Sequence, residues 1–169
     1  MSRRIFKLSI ALLLVLFVVA APAAARTTWT EYGGTEYYLG PGAEGRSWTS
    51  QGGVVHTRGS ESLYYEDVDD PHLSGDSVVT ANYNFKQAEP PVYVYGPMWG
   101  TMRIENEGGY WEGHWVGERT EDGSSYISAV LRGHGGYKGL QARAEYARET
   151  PNPFAPFSIH GVIMDPGGE

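Results

Sequence analysis

Residues 108–119 read GGYWEGHWVGER. Side chains of a β-strand alternate between its two faces. One face of this stretch therefore carries Trp111, Gly113, Trp115 and Gly117, and the other Glu112, His114, Val116 and Glu118. The largest and smallest residues share a face, and both glutamates lie opposite. The same split recurs elsewhere. Met98, Gly100, Met102 and Ile104 oppose Trp99, Thr101, Arg103 and Glu105; Ile127, Ala129 and Leu131 oppose Ser128, Val130 and Arg132. Ala142, Ala144 and Tyr146 oppose Gln141, Arg143 and Glu145, while Val79, Ala81, Tyr83 and Phe85 oppose Val78, Thr80, Asn82 and Asn84. Phe157, Ile159, Gly161 and Ile163 oppose Ser158, His160, Val162 and Met164. Small closed barrels are filled in this large-beside-small way, because their taper leaves unequal room per layer. Closure also removes the edges that would make so strand-rich a chain aggregate. The pattern predicts an all-β fold, a single antiparallel barrel of about eight strands, with a β-sandwich of the same alternation as the alternative.

Working outward, strand signals recur between turn signals and no long stretch repeats apolar residues at helical spacing. TTWTEY (27–32) starts a first strand. The Gly-rich run at 33–52 reads as loop, with at most a short strand near Tyr37. GVVHTRG (53–59) and SLYYEDV (62–68) read as a pair of strands, followed by a turn at DDPHLSGD (69–76). SVVTANYNFK (77–86) is a strand that QAEPP (87–91) ends. Residues 92–106 form one long strand, or two joined by a bulge at Gly96-Pro97. YISAVLRG (126–133), LQARAEYAR (140–148) and FSIHGVIM (157–164) complete the set, and TPNPFAP (150–156) is a rigid loop. The expected organisation is residues 1–25 as a targeting segment, 26–52 as a Gly-rich N-terminal segment with the first strand, and 53–166 as the barrel body.

The chain opens with a basic stretch (Arg3, Arg4, Lys7), an apolar run from Leu8 to Val19, and alanines at 23–25. That order is the pattern of a secretory signal peptide cleaved after Ala25. The apolar run is shorter than the ~20 residues of a spanning helix. The mature chain is thus expected outside the cytoplasm, in the extracellular space or cell envelope, and off the membrane. Removing residues 1–25 takes away three of 13 bases and none of 20 acids, so formal charge falls from −7 to −10. An acidic surface without a Lys/Arg cluster repels phosphate backbones, which argues against nucleic acid as a partner. Cys is absent, so the core itself must hold the fold and thiol chemistry is excluded.

No motif assigns a reaction. Asp67, Asp69, Asp70, His72 and Asp76 crowd one turn, but without the Asp-x-Asp-x-Asp-Gly order of an EF-hand they read as a solvated acidic turn rather than a calcium loop. Glu112, His114, Arg132, Arg143, Glu145 and His160 share the outer face and pair across strands, each exposed pair contributing ~0.2–1 kcal/mol. RGHGGYKGL (132–140) is a hairpin turn, since a phosphate cradle would open a helix. The histidines lack metal-ligand spacing, and no nucleophile elbow appears. No metal or cofactor is expected. The inner face, as read here, holds no carboxylate, histidine or lysine, which argues against interior acid/base catalysis.

The stretches GPMWGTMRIENEGGYWEGHWVGER, RGHGGYKGLQARAEY and IHGVIMDP resemble a group of small secreted bacterial proteins of unassigned function, and DDPHLSGD resembles their Asp-Pro-x-x-Ser-Gly turn. The hairpin Gly133-His134-Gly135-Gly136-Tyr137-Lys138-Gly139-Leu140 is similar to one in the allene oxide cyclase and dirigent barrels. The resemblance covers about residues 66–166 and consists of turn and packing motifs. It implies an eight-stranded barrel whose lumen holds an apolar molecule, and carries over no catalytic residue.

The expected function is a secreted, non-enzymatic barrel that binds an apolar small molecule in its lumen. One alternative is an enzyme, like allene oxide cyclase or dirigent proteins, that steers cyclisation or coupling of an apolar substrate; another is a solid-core structural or interaction protein. The expected ligand-binding residues are Tyr83, Met98, Met102, Trp111, Trp115 and Tyr146, with Gly100, Gly113 and Gly161 leaving volume beside them. Aromatic and thioether groups make an adaptable apolar lining.

Overall fold

The computed structural model describes residues 26–87 and 94–167. The targeting segment expected at 1–25, most of the strand end expected at 87–91, and residues 92–93 lie outside the described residues. The described residues form nine strands: β1 (Thr28–Pro41), β2 (Arg46–Thr49), β3 (Val55–Val68), β4 (Gly75–Gln87), β5 (Val94–Asn106), β6 (Gly109–Arg119), β7 (Ser125–Gly135), β8 (Gln141–Arg148) and β9 (Phe157–Asp165). Strands β3 to β9 pair in chain order, and β1 closes the circle by pairing with both β9 and β3. All pairings are antiparallel, so the wall is an eight-stranded closed barrel with β2 added outside on β3.

The registers explain the mixture of large and small residues on the inner face. Trp111 lies between Ile104 and Gly133, and Trp115 between Gly100 and Ala129. Conversely, Gly113 lies between Met102 and Leu131, and Gly117 between Met98 and Ile127. Each indole is flanked by at least one small residue, so a layer alternates bulk around the wall rather than stacking it. The buried cluster contains Trp111, Trp115, Met98, Met102, Leu131, Tyr146, Phe157 and Ile159, all assigned to the inner face by alternation. Glu112 and His114 face out.

Two boundaries differ from the sequence reading. First, Gly33-Gly34 does not break β1, which runs unbroken to Pro41 and belongs to the barrel wall. A Cβ at Gly34 would collide with the backbone of Asp67 and Val68. Here glycine marks the close approach of β1 to β3, which seals the barrel, rather than a loop. The barrel body therefore begins at Thr28, not at residue 53. Second, residues 53–59 and 62–68 are not a hairpin. They are one strand, β3, with a register shift between Thr57 and Ser60. Gly59 has φ of 68° there, the left-handed conformation of a glycine bulge, which bends a strand without ending it. The bend lets the first half of β3 pair with β2 and the second half with β1. Of the two forms expected for residues 92–106, the described part is the single long strand: the pairing of β5 with β4 keeps one register on both sides of Gly96-Pro97.

The two ends of the barrel are built differently. At the end carrying the β3–β4, β5–β6 and β7–β8 connections, Trp111 is fully buried and stacks on Tyr137, with ring centroids 5.5 Å apart. Its Nε1 donates to the His72 carbonyl at 2.7 Å, and Leu73 is buried beneath the same turn. Asp70 and Asp69 accept bonds from the His72 and Gly33 backbone N–H groups, so these carboxylates hold the turn together.

Candidate functional site

The opposite end, with the 120–124 and 149–156 connections, contains a cavity of about 310 Å³. Tyr83, Met98, Met102, Trp115 and Tyr146, five of the six residues expected there, line it. Trp111 does not; it belongs to the plug at the other end, where its indole N–H is committed to the His72 carbonyl. The volume does not come from Gly100, Gly113 and Gly161 as the alternation suggested. A Cβ on Gly100 would strike the Thr80 carbonyl, one on Gly113 the Val130 carbonyl, and one on Gly161 the ring of Tyr32. These glycines admit neighbouring backbone and rings. The free space is instead bounded by Val79, Ala81, Phe85 and Ile127, together with Tyr38 and Tyr64 of the closing strands.

The lumen is not free of charge, which corrects the expectation from the sequence. Glu36 of β1 and Glu66 of β3 are register partners across the seam that closes the barrel, and both are buried, at 4% and 1% exposure. Glu36 also lines the cavity. In β1 the sequence runs Tyr32, Gly34, Glu36, Tyr38 along the inner face, while Tyr37 and Leu39 face out. In β3 Tyr64 and Glu66 face in, while Leu63 and Tyr65 face out. Apolar residues outside and acids inside reverse the usual pattern, so alternation alone assigns these faces wrongly.

Burial governs the chemistry of this pair. It pushes the Glu36 carboxyl up to about 7, against the opposing influence of a hydrogen bond from Glu66 and the positive charge of Arg148. Glu66 is raised well above the carboxylate range by burial first, and then by the charge of Glu36. Both carboxyls are thus held toward the protonated form, and Glu66 Oε1 accepts from the Tyr146 hydroxyl at 3.4 Å. Two carboxyls that cannot both ionise in a dry site share a proton.

Two arginines complete the site. Arg119 ends β6 and Arg148 ends β8; both are buried and line the cavity. Ser125, fully buried at the start of β7, is the register partner of both, so Arg119, Ser125 and Arg148 form one row across three strands. Arg119 Nη2 donates to the Pro151 carbonyl at 2.7 Å, and Arg148 Nη1 to the Pro153 carbonyl at 2.7 Å. Arg148 Nη2 reaches Ser125 Oγ at 3.3 Å, and its guanidinium lies 4.4 Å from the centre of the Phe157 ring. The Nε of each arginine has no partner among the described residues. Both positions were legible: Arg119 continues the Trp111-to-Gly117 face by one step, and Arg148 the Ala142-to-Tyr146 face.

On the outer wall, no ion pair among the described residues joins two of the six residues expected to pair there. Glu112 instead meets His134 Nε2 of β7 at 3.3 Å and Arg103 of β5 at 3.9 Å, Arg103 pairs with Glu105 of its own strand at 3.0 Å, and Ser128 donates to Glu145 at 2.7 Å. All are exposed pairs on the solvated face. Comparison with protein-family models, with curated proteins and with solved structures found no match to this chain.

Proposed function

We propose that the protein is a lumen-binding barrel, exported once residues 1–25 are removed, that holds a small molecule with an apolar body. The observation that carries this is the cavity of about 310 Å³ lined by Tyr83, Met98, Met102, Trp115 and Tyr146. Ligand pockets are of this size and of this largely apolar lining, with a few polar groups to orient the guest. A barrel packed solid by its side chains would leave no such space, so the cavity supports binding over a purely structural role. The test is a titration of intrinsic tryptophan fluorescence with 1-aminonaphthalene, a small neutral dye that absorbs tryptophan emission. Saturable quenching through Trp115, lost in a folded Ile127→Trp variant that fills the cavity, is the expected result; absence of saturable binding overturns it.

A second reading is supported by one observation. Glu36 borders the cavity with its carboxyl pushed up to about 7, where an acid can both give and take a proton near neutral pH. A barrel that steers cyclisation of an apolar substrate, as the similarity to allene oxide cyclase implies, has a use for such a group. The two readings separate in a Glu36→Gln variant incubated with extract of the host. An enzyme loses turnover of a compound that the variant still binds, whereas a carrier releases the compound unchanged from both.

A further inference from the structure

We infer that the Arg119–Ser125–Arg148 row is an anion anchor, and that the ligand of the lumen is a compact amphipathic carboxylate whose head group pairs with these two guanidiniums. This rests on the lumen-binding reading and names the chemical class of the guest. Burying a guanidinium is costly unless a counter-charge or hydrogen bonds replace its water. Here two are buried side by side on one layer, near enough that the charge of Arg119 acts unfavourably on Arg148. None of the salt bridges among the described residues includes either of them. Glu36 acts on Arg148 only at longer range, and Glu36 shares its hydrogen bond with Glu66.

The neutral partners are carbonyls and a hydroxyl, which take one or two N–H groups of each fork and leave both Nε donors without a partner among the described residues. A planar carboxylate is the acceptor whose geometry matches a guanidinium fork, and charge-assisted bonds of this kind are about twice as strong as neutral ones. Arg148 already sits over the Phe157 ring, and Ser125 fixes its Nη2, so little orientation is lost when an anion arrives. The rest of the cavity is apolar and aromatic, which sets the remainder of the guest. Filled at interior density of roughly 0.74, a cavity of this size accepts a molecule on the order of a dozen non-hydrogen atoms. An aromatic or short-chain monocarboxylate fits that description.

The test compares 2-naphthoate with its neutral isostere 2-naphthamide by calorimetric titration of the protein at pH 7.5. The expected result is binding of the carboxylate about tenfold or more tighter than the amide. Arg119→Gln and Arg148→Gln should each erase most of that preference, read as the ratio of the two affinities within the same variant. The comparison on the unaltered protein needs no variant to fold. Equal affinity for the two probes overturns the anchor and leaves the lumen-binding reading standing. Failure of both probes and of the apolar dye overturns the two together.

Discussion

The buried glutamate pair makes the protein's stability fall as pH rises through the neutral range, and the size of the effect follows from the site. An unfolded chain exposes Glu36 to water, where its carboxyl ionises at the usual 4.5; in the barrel burial holds it up to about 7. Between these values the native state binds more protons than the unfolded state, so unfolding releases protons and is favoured by rising pH. The stabilising contribution is therefore fully present below pH 4.5, and is lost as pH climbs to about 7, beyond which the curve levels. At about 1.4 kcal/mol per pH unit for one group, the interval is worth about 3 kcal/mol. That is a large share of the ~5–15 kcal/mol that holds a domain folded. The perturbation is Glu36→Gln, which keeps the shape and removes the titration. Urea unfolding followed by tryptophan fluorescence gives the stability of each protein by linear extrapolation at half-unit steps from pH 4.5 to 8. Groups that do not feel the Glu36 charge titrate alike in both proteins and cancel in the difference; Glu66, raised by its own burial first, stays raised in the variant. Wild-type stability relative to the variant should drop by about 3 kcal/mol across the window. A difference that stays flat, or that rises with pH, would show that Glu36 is solvated or ion-paired in the native barrel.

Three further outcomes test the fold and its processing. Trp115→Ala should cost ~3–5 kcal/mol, because the indole is buried at 4% exposure and donates to the Thr101 carbonyl; Glu112→Ala, on the solvated face, should stay within ~0.5 kcal/mol, and comparable losses in denaturant unfolding would mean the faces are misassigned. Gly34→Ala should destabilise by more than ~2 kcal/mol, since its Cβ meets the backbone of β3 at the seam, whereas Gly52→Ala, with open space around it, should be near neutral; thermal melts of the two variants distinguish a sealed barrel from an open sheet. N-terminal sequencing of exported protein should begin at Arg26, and a retained segment in a membrane fraction would refute the cleavage expected from the alanine triplet.

How much of this was legible in the chain depends on the strand. In β6, bulky and small residues occupy every second position with charges between them, and a two-residue period admits only one assignment of faces. The same holds for β4, β5 and β7 to β9, and it leads from composition to a closed barrel and to five residues of the cavity. Extending that period by one step would also have placed Arg119 and Arg148 inside. The closing strands offered no such guide. Gly33-Gly34 and Gly59 look like chain breaks, yet tertiary contact turns the first into a site of close packing and the second into a bulge. Along β1 and β3 the apolar residues Tyr37, Leu39, Leu63 and Tyr65 face out, and Glu36 and Glu66 face in. What decides that orientation is the register between β1, β9 and β3, which sets Glu36 opposite both Phe157 and Glu66. Local alternation assigns an acid to water because ionised carboxylates are costly to bury. Only closure of the barrel supplies the second carboxyl and the tyrosine hydroxyl that let the pair stay buried by keeping a proton.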